Sequence, residues 1–422
     1  MMNMMRAIGL FWCLFLIVAL AFSSPAHVTR LETPGSTIPE AYFGMHIHSM
    51  VVPRPGMKTS DPWPSVRFGG WRVLDAYVNW PNLEPSRGQW NFSALDRYVS
   101  LADQHHVEIL MPLVLSPAWA STRPQERSSQ SPGNAAPPLD LNDWRDYVQK
   151  VASRYKGKVH SYEIWNEPNL KDFFTGTPQE MVVLTREASK ILRQIDPTVT
   201  IVSPSATHED GLAWLDQFLQ LGGGEFVNAI GYHFYATTPE AMIPLIEGVH
   251  KTLAKHGLEN RPIWNTETGW RISNHKTQIN PPGLSDEEAS AYVARANVLA
   301  WAHGVSRFYW YAWDNGTAGL TEADGATPKP PAEAYSTTES WLLGARMTHC
   351  DQDGGTWNCH LQRDGGYSGW IVWDADGSRA FPIQPTWGVR QQRDLDGRTK
   401  NIAGIKMIQI GPKPVLLENK AP

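Results

Sequence analysis

The sequence predicts a (β/α)₈ barrel followed by a small antiparallel β domain, and three observations carry that expectation. From residue 41 to about 313, short runs rich in β-branched and aromatic residues alternate with amphipathic segments, the texture of parallel strands interleaved with helices. Eight such strand runs can be marked: 43–48, 65–68, 107–115, 159–165, 200–203, 229–235, 262–267 and 307–313. Past Pro330 short runs alternate instead with Asp-Gly and Gly-Gly turns, as in antiparallel sheets. An open doubly wound sheet is the alternative, but no strand run leads into a glycine-rich nucleotide or phosphate loop.

The elements follow in order. Arg6 is the sole charge in the first 26 residues; an apolar run at 7–22 and then Ser23-Ser24-Pro25-Ala26 read as a secretory signal over 1–26. The run is slightly short for a membrane span, and an uncleaved inner-membrane anchor is the alternative. The protein is therefore expected to be exported, periplasmic or secreted. The barrel is expected over 36–328. Its helices carry their own signals. Ser93 with Asp96 opens one, and Trp144, Val148, Val151 and Tyr155 share a face of the next. Thr177-Pro178 starts a third, which closes at Asp196-Pro197. Ser285 with Glu288 forms a capping box, and Gly257 and Gly304 end helices. Residues 120–139, rich in Ser, Pro and Gln, form a long polar loop after the third strand. Runs at 356–362, 370–374 and 415–418 belong to a sandwich-like accessory domain over 329–422. Cys350 and Cys359 lie nine apart within it, and export favours a disulfide over two free thiols.

Bulk properties narrow the function. With 19% charged and 42% hydrophobic residues the chain is globular. A net charge of −5 gives no basic footprint for nucleic acid. There are 19 tryptophans, rings that serve cores but also stack on the apolar faces of sugars. No Cys or His spacing matches a zinc site. His46 and His48 share a strand face but lack a third ligand, so no metal and no cofactor are expected.

Barrel enzymes keep their chemistry at the C-terminal ends of the strands. Glu167 follows the fourth strand in YEIWNEPNL (162–170), and Glu267 closes the seventh in IWNTET (263–268). They are 100 residues apart in sequence, yet the two strand ends face each other across the barrel mouth. Paired carboxylates are the working parts of glycoside hydrolysis, with one protonated and donating and the other ionised.

WNEPN at 165–169 resembles the acid/base motif of the clan A glycoside hydrolases. Together with FGMHIH, SVRFGGW, GYHFY, NTETGW and the Cys-containing β domain, it is similar to family 39, most of all to its bacterial endoglycosidases encoded with exopolysaccharide genes. The resemblance implies that Glu167 is the acid/base and Glu267 the nucleophile of a retaining mechanism, and that Asn166 bonds the sugar 2-hydroxyl. Beside them, Arg67 at the end of the second strand is placed to hydrogen-bond the nucleophile. His233 and Tyr235 share a face of the sixth strand, with Tyr235 in reach of Glu267, and His48 is expected to bond sugar or pack in the barrel. Trp313 is expected as the aromatic floor of the sugar subsite. Trp71, Trp119 and Trp270 are outer stacking platforms or core rings, and Asp314 and Glu322 are rim residues.

The expected protein is thus a monomeric retaining glycosidase, endo-acting on a mostly neutral bacterial exopolysaccharide. An exo-acting xylosidase-like or iduronidase-like enzyme has the same carboxylate pair. A non-catalytic carbohydrate-binding protein would be expected to have lost one of the two.

Overall fold

The computed structural model describes residues 28–53, 60–274 and 282–421; the expected signal segment, including 7–22, lies outside the described residues. After a first strand, β1 (Thr29–Glu32), come the barrel strands: β2 (Phe43–His46), β3 (Gly70–Arg72), β4 (Glu108–Leu113), β5 (Ser161–Ile164), β6 (Thr200–Val202), β7 (Ala206–Thr207), β8 (Ile230–His233), β9 (Ile263–Thr268) and β10 (Val305–Trp310). They pair side by side in the order β6-β5-β4-β3-β2-β10-β9-β8-β7, all parallel. β6 and β7 are two pieces of one strand. Pro204 sits between them and has no N–H to give to a ladder. β6 pairs with β5, β7 pairs with β8, and a parallel bridge from Val202 to Ala229 closes the ring of eight.

The second strand forms at 70–72 rather than at the β-branched 65–68, because the barrel needs glycine there. The Tyr309 ring fills the interior so closely that a Cβ on Gly44 would lie 2.4 Å from it, and one on Gly70 3.0 Å. Tyr309, Leu110, Val202, Ala229 and Trp264 form an apolar plug in the lower barrel. Polar side chains occupy the level above it.

The helices are α1 (Trp80–Leu83), α2 (Ser93–Gln104), α3 (Leu141–Arg154), α4 (Pro178–Ile195), α5 (His208–Gln220), α6 (Ile243–Lys255), α7 (Asp286–Ala302) and α8 (Pro330–Leu342). Capping boxes hold the starts of α4 (Thr177, Glu180) and α7 (Ser285, Glu288). α8 belongs with the barrel: the Tyr335 hydroxyl donates to the Gly44 carbonyl at 3.2 Å, and its ring meets Phe43 edge-on. The antiparallel sheet therefore starts later than residue 329, at β11 (Arg346–Asp353).

β12 (Thr356–Arg363), β13 (Tyr367–Asp374), β14 (Arg379–Pro382), β15 (Gln391–Arg393), β16 (Thr399–Asn401), β17 (Met407–Ile410) and β18 (Val415–Glu418) follow. The main sheet runs β1-β11-β12-β13-β18-β15-β16, and β14 pairs with β17 as a separate ribbon. Alternation splits the sheet's residues between two cores. Cys350, Cys359, Ile371, Trp373 and Leu416 join the large core shared with the barrel, whereas Trp370, Val372 and Leu417 pack outward, with Phe381 and Ile408 of the ribbon. Cys350 and Cys359 stand opposite each other on β11 and β12 and form a disulfide. Among the described residues no helix is long and apolar enough to cross a membrane.

Candidate active site

The fourth barrel strand delivers its residues by a change of backbone. Glu163 points into the barrel, and strict alternation would send Trp165 inward too. Instead Trp165 (φ 67°) and Glu167 (φ 43°) are left-handed, a conformation that costs a non-glycine residue about 1–3 kcal/mol and clusters at functional sites. The turn sends the Trp165 indole outward, where it packs against Trp144 and Phe174 and donates to the Phe173 carbonyl. Asn166 and Glu167 are left at the mouth. From β9, Thr266 reaches Ser205 while Glu267 reaches Arg72 and Tyr235; the β9–β10 register shifts beside them, between Phe308 and Trp310. Such irregularities re-aim side chains.

One carboxylate oxygen each from Glu167 and Glu267 and a ring nitrogen of His233 lie within 4.8 Å of one another. That is too close for the water of inverting pairs (about 6.5–9.5 Å) and on the side of pairs in which the second carboxylate attacks directly (about 5–5.5 Å). Donor atoms so placed could also ligate a cation. Here, however, they already bond their neighbours. His233 Nδ1 is 2.8 Å from Glu167 Oε1, the Tyr235 hydroxyl donates to Glu267 Oε1 at 2.8 Å, and Arg72 Nη1 donates to Glu267 Oε2 at 2.7 Å.

Arg72 is the hub. Fully buried, it also donates from Nε to Glu163 Oε2 at 2.6 Å and from Nη2 to Asn166 Oδ1 at 2.8 Å. Glu163 in turn accepts from the Ser205 hydroxyl. One guanidinium thus fixes the position of three side chains with charge-assisted bonds.

The environments of the two glutamates differ. Burial pushes Glu167 up to about 7, with Arg72 opposing and Asp75 assisting. Burial also raises Glu267, while Arg72 pulls it back. Glu267 accepts two direct bonds suited to an anion, from Arg72 and Tyr235, so the negative charge belongs there and the shared proton on Glu167. Burial keeps Tyr235 protonated, and holds His233 down at about 4, hence neutral.

Three expected residues fall elsewhere. Arg67 does not touch the nucleophile: its side chain is 58% exposed and pairs with Glu40 at 2.7 Å, because the strand starts three residues later and leaves it at the opposite end. Arg72 takes that contact. Trp313 is 1% exposed in the core and provides no sugar floor; β10 ends at Trp310, and Tyr311 is the ring at the mouth. Trp71 is wholly buried, bonded to the Ile47 carbonyl and packed on Trp63 and Tyr98, since it alternates with the inward Gly70 and Arg72. His46 is also buried, with Nε2 2.9 Å from the Thr266 carbonyl. Trp119 and Trp270 are half-buried, each tied to a backbone carbonyl. His48 does reach the mouth, where Asp314 accepts from its backbone N–H.

Two depressions open at the mouth, neither lined by Glu167 or Glu267 themselves. One, of about 430 Å³, is lined by His48, Asp75, Tyr77, Gln130, Tyr311 and Asp314. The other, of about 550 Å³, is lined by His208, Glu209, Asp210 and Tyr235. Asp75, Tyr311 and His208 were not singled out from sequence. Asp75, Tyr77 and His208 share a left-handed backbone, which only the structure reveals.

A (β/α)₈ barrel with carboxylates at the ends of its fourth and seventh strands defines the glycoside-hydrolase class of barrels. Residues 60–276 match the glycosyl hydrolases family 39, and the chain belongs to that family. A beta-xylosidase of Caldicellulosiruptor saccharolyticus is 26% identical over 222 residues, 48% of this chain and 45% of the relative, so the match spans less than half of that protein. An endo-1,4-beta-xylanase A of Caldicellulosiruptor sp. is 26% identical over 90 residues, 20% of this chain and 13% of the relative. Among solved structures, a family 39 glycoside hydrolase from Bacteroides cellulosilyticus superposes with TM-score 0.68 and 20% identity, covering 84% of this chain and 76% of its own. A GH39 beta-xylosidase from Caulobacter crescentus gives 0.65 and 16%, covering 92% and 98%.

Proposed function

We propose that the protein is a retaining glycoside hydrolase in which Glu167 is the acid/base and Glu267 the nucleophile. The carboxylate spacing is the observation that carries this reading. In the first step Glu167 gives its proton to the leaving oxygen while Glu267 attacks the anomeric carbon, forming a glycosyl-enzyme. Once Glu267 is esterified its negative charge is gone, so Glu167, having given up its proton, stays ionised and can take one from the attacking water as its second role requires. Arg72 holds the nucleophile, and by fixing Asn166 Oδ1 it leaves the amide N–H₂ for the sugar 2-hydroxyl.

An endo-acting cleft is supported by the two depressions at the mouth, one of which includes Tyr235, the partner of Glu267. Asp75, Glu209 and Asp210 give this mouth a negative rim, which favours neutral glycans over polyanionic ones. The names of the curated relatives put β-linked xylose polymers first among candidates, and an exported bacterial polysaccharide second. The xylosidase-like exo reading is the alternative those names favour.

The test is hydrolysis of xylan, mannan and bacterial exopolysaccharides by wild type, Glu167→Gln and Glu267→Gln, reading product size and anomeric configuration. Oligosaccharides of retained configuration, with turnover falling by about 10²–10⁴ in Glu167→Gln and being lost in Glu267→Gln, are expected. Inverted products would remove the retaining mechanism, and release of monosaccharide alone would remove the endo action.

A further inference from the structure

The accessory sheet carries a cavity that its structural role does not use. Its outer face has two halves. Over β13 and β18, Trp370, Val372 and Leu417 are covered by the β14–β17 ribbon. Over β11 and β12 the register places Asp351 opposite Asn358 and Asp353 opposite Thr356, and β12–β13 pairing aligns Asn358 with Val372 on the same face. This half is polar and the ribbon does not cover it. A cavity of about 350 Å³ opens there, its floor including Asp351, Thr356 and Asn358 and its wall Phe381 and Trp387. That volume lies in the range of small-ligand sites.

The lining is amphipathic in a particular way. Trp387 stacks on Trp370 with ring centroids 4.7 Å apart and planes 7° from parallel, yet it remains only half-buried. One face is spent on the core and the ring is held rigid, which is how a stacking platform is built. Asn358 lines the polar floor of the same cavity, its Oδ1 turned away from solvent and meeting no donor. Two of the nearby carboxylates are paired: Arg30 clamps Asp351 with two bonds of 2.8 Å, and Arg379 lies 3.4 Å from Asp374, while Asp353 adds a carboxylate to the lining. An apolar ring beside a polar floor suits a ligand with an apolar C–H face and hydroxyl groups at its edge.

We infer that this cavity is a second, non-catalytic site that binds a neutral oligosaccharide segment of the polymer the barrel cleaves. The ring stacks on Trp387, and the hydroxyls face the polar floor that Asp351, Thr356 and Asn358 line. The substrate class rests on the function proposed above, and the test separates the two.

Trp387→Ala and Asn358→Ala are each placed in the Glu167→Gln background, and migration is followed in native gels cast with xylan, mannan or β-glucan. Both variants are also made in the active enzyme and assayed on a short chromogenic glycoside. Retardation of Glu167→Gln in at least one gel, weakened about tenfold by either change, with turnover of the short glycoside unaltered, is expected. No retardation of Glu167→Gln in any gel overturns the site while leaving the barrel's activity to be read independently. Equal retardation of all three proteins overturns it too, as does loss of short-substrate turnover in parallel with retardation in both variants, which marks structural damage. Asn358→Ala removes no core ring, so its result stands even if Trp387→Ala is poorly folded.

Discussion

Glu167, the proposed acid, shows what such a role costs a protein. Its folded pKa of about 7 lies above the ordinary 4.5 of a glutamate. Between those values the folded state keeps a proton that the unfolded state releases, so stability falls as pH rises through that window. Glutamine has no proton to lose. Glu167→Gln should therefore be more stable than wild type at pH 8, by up to about 3 kcal/mol, with the difference shrinking toward pH 4; urea unfolding at the two pH values checks it. Asp75 acts on the same proton, since its negative charge raises both Glu167 and Glu267. Asp75→Asn should move the alkaline limb of the pH–rate profile to lower pH, and an unmoved limb would place Asp75 outside the electrostatics of the pair. The carboxylates themselves were legible, because a charge beside an asparagine at a strand end leaves little choice of position. Arg72 was not. Telling it from Arg67 requires the strand's start, and that start depends on Tyr309, whose ring demands glycine from neighbouring strands.

Elements were legible where their ends carry chemistry of their own. The helices at 178–195 and 286–302 begin where Thr177 and Ser285 said they would, because capping is local. Thr177→Ala should cost about 1 kcal/mol, read as a lower urea midpoint, with turnover unchanged since α4 lies behind the barrel wall. The end of β10 was harder. Three more residues of apparent strand, Tyr311 to Trp313, gave the floor to the wrong ring. Propensity describes the run of residues but not where the ladder stops, and stopping points decide which aromatic faces the cleft. The split at Ser203–Ser205 is similar: the proline is visible in sequence, but that both halves stay in the barrel follows only from their different partners.

At the scale of the molecule, the accessory sheet shares one core with the barrel, so the two should unfold together. Replacing Cys350 and Cys359 by alanine opens a short loop, which chain-entropy reasoning values at about 2–3 kcal/mol. A single urea transition, shifted down by that amount and matched by wild type under reductant, is the expected result. Two separate transitions would show that the sheet melts independently.

The pairing of β1 with β11 has a consequence for how the protein is made. Arg30 and Asp351 are 321 positions apart in the chain. The ribosome delivers the first strand long before its partner, and the barrel lies wholly between them. β1 must stay unclaimed, with its edge open to any passing strand, until about four-fifths of the polypeptide has emerged. The clasp therefore reports that the whole barrel has been made: a chain truncated anywhere before β11 leaves an orphan strand ahead of the barrel, a flag that quality-control machinery could read far along the chain from the damage.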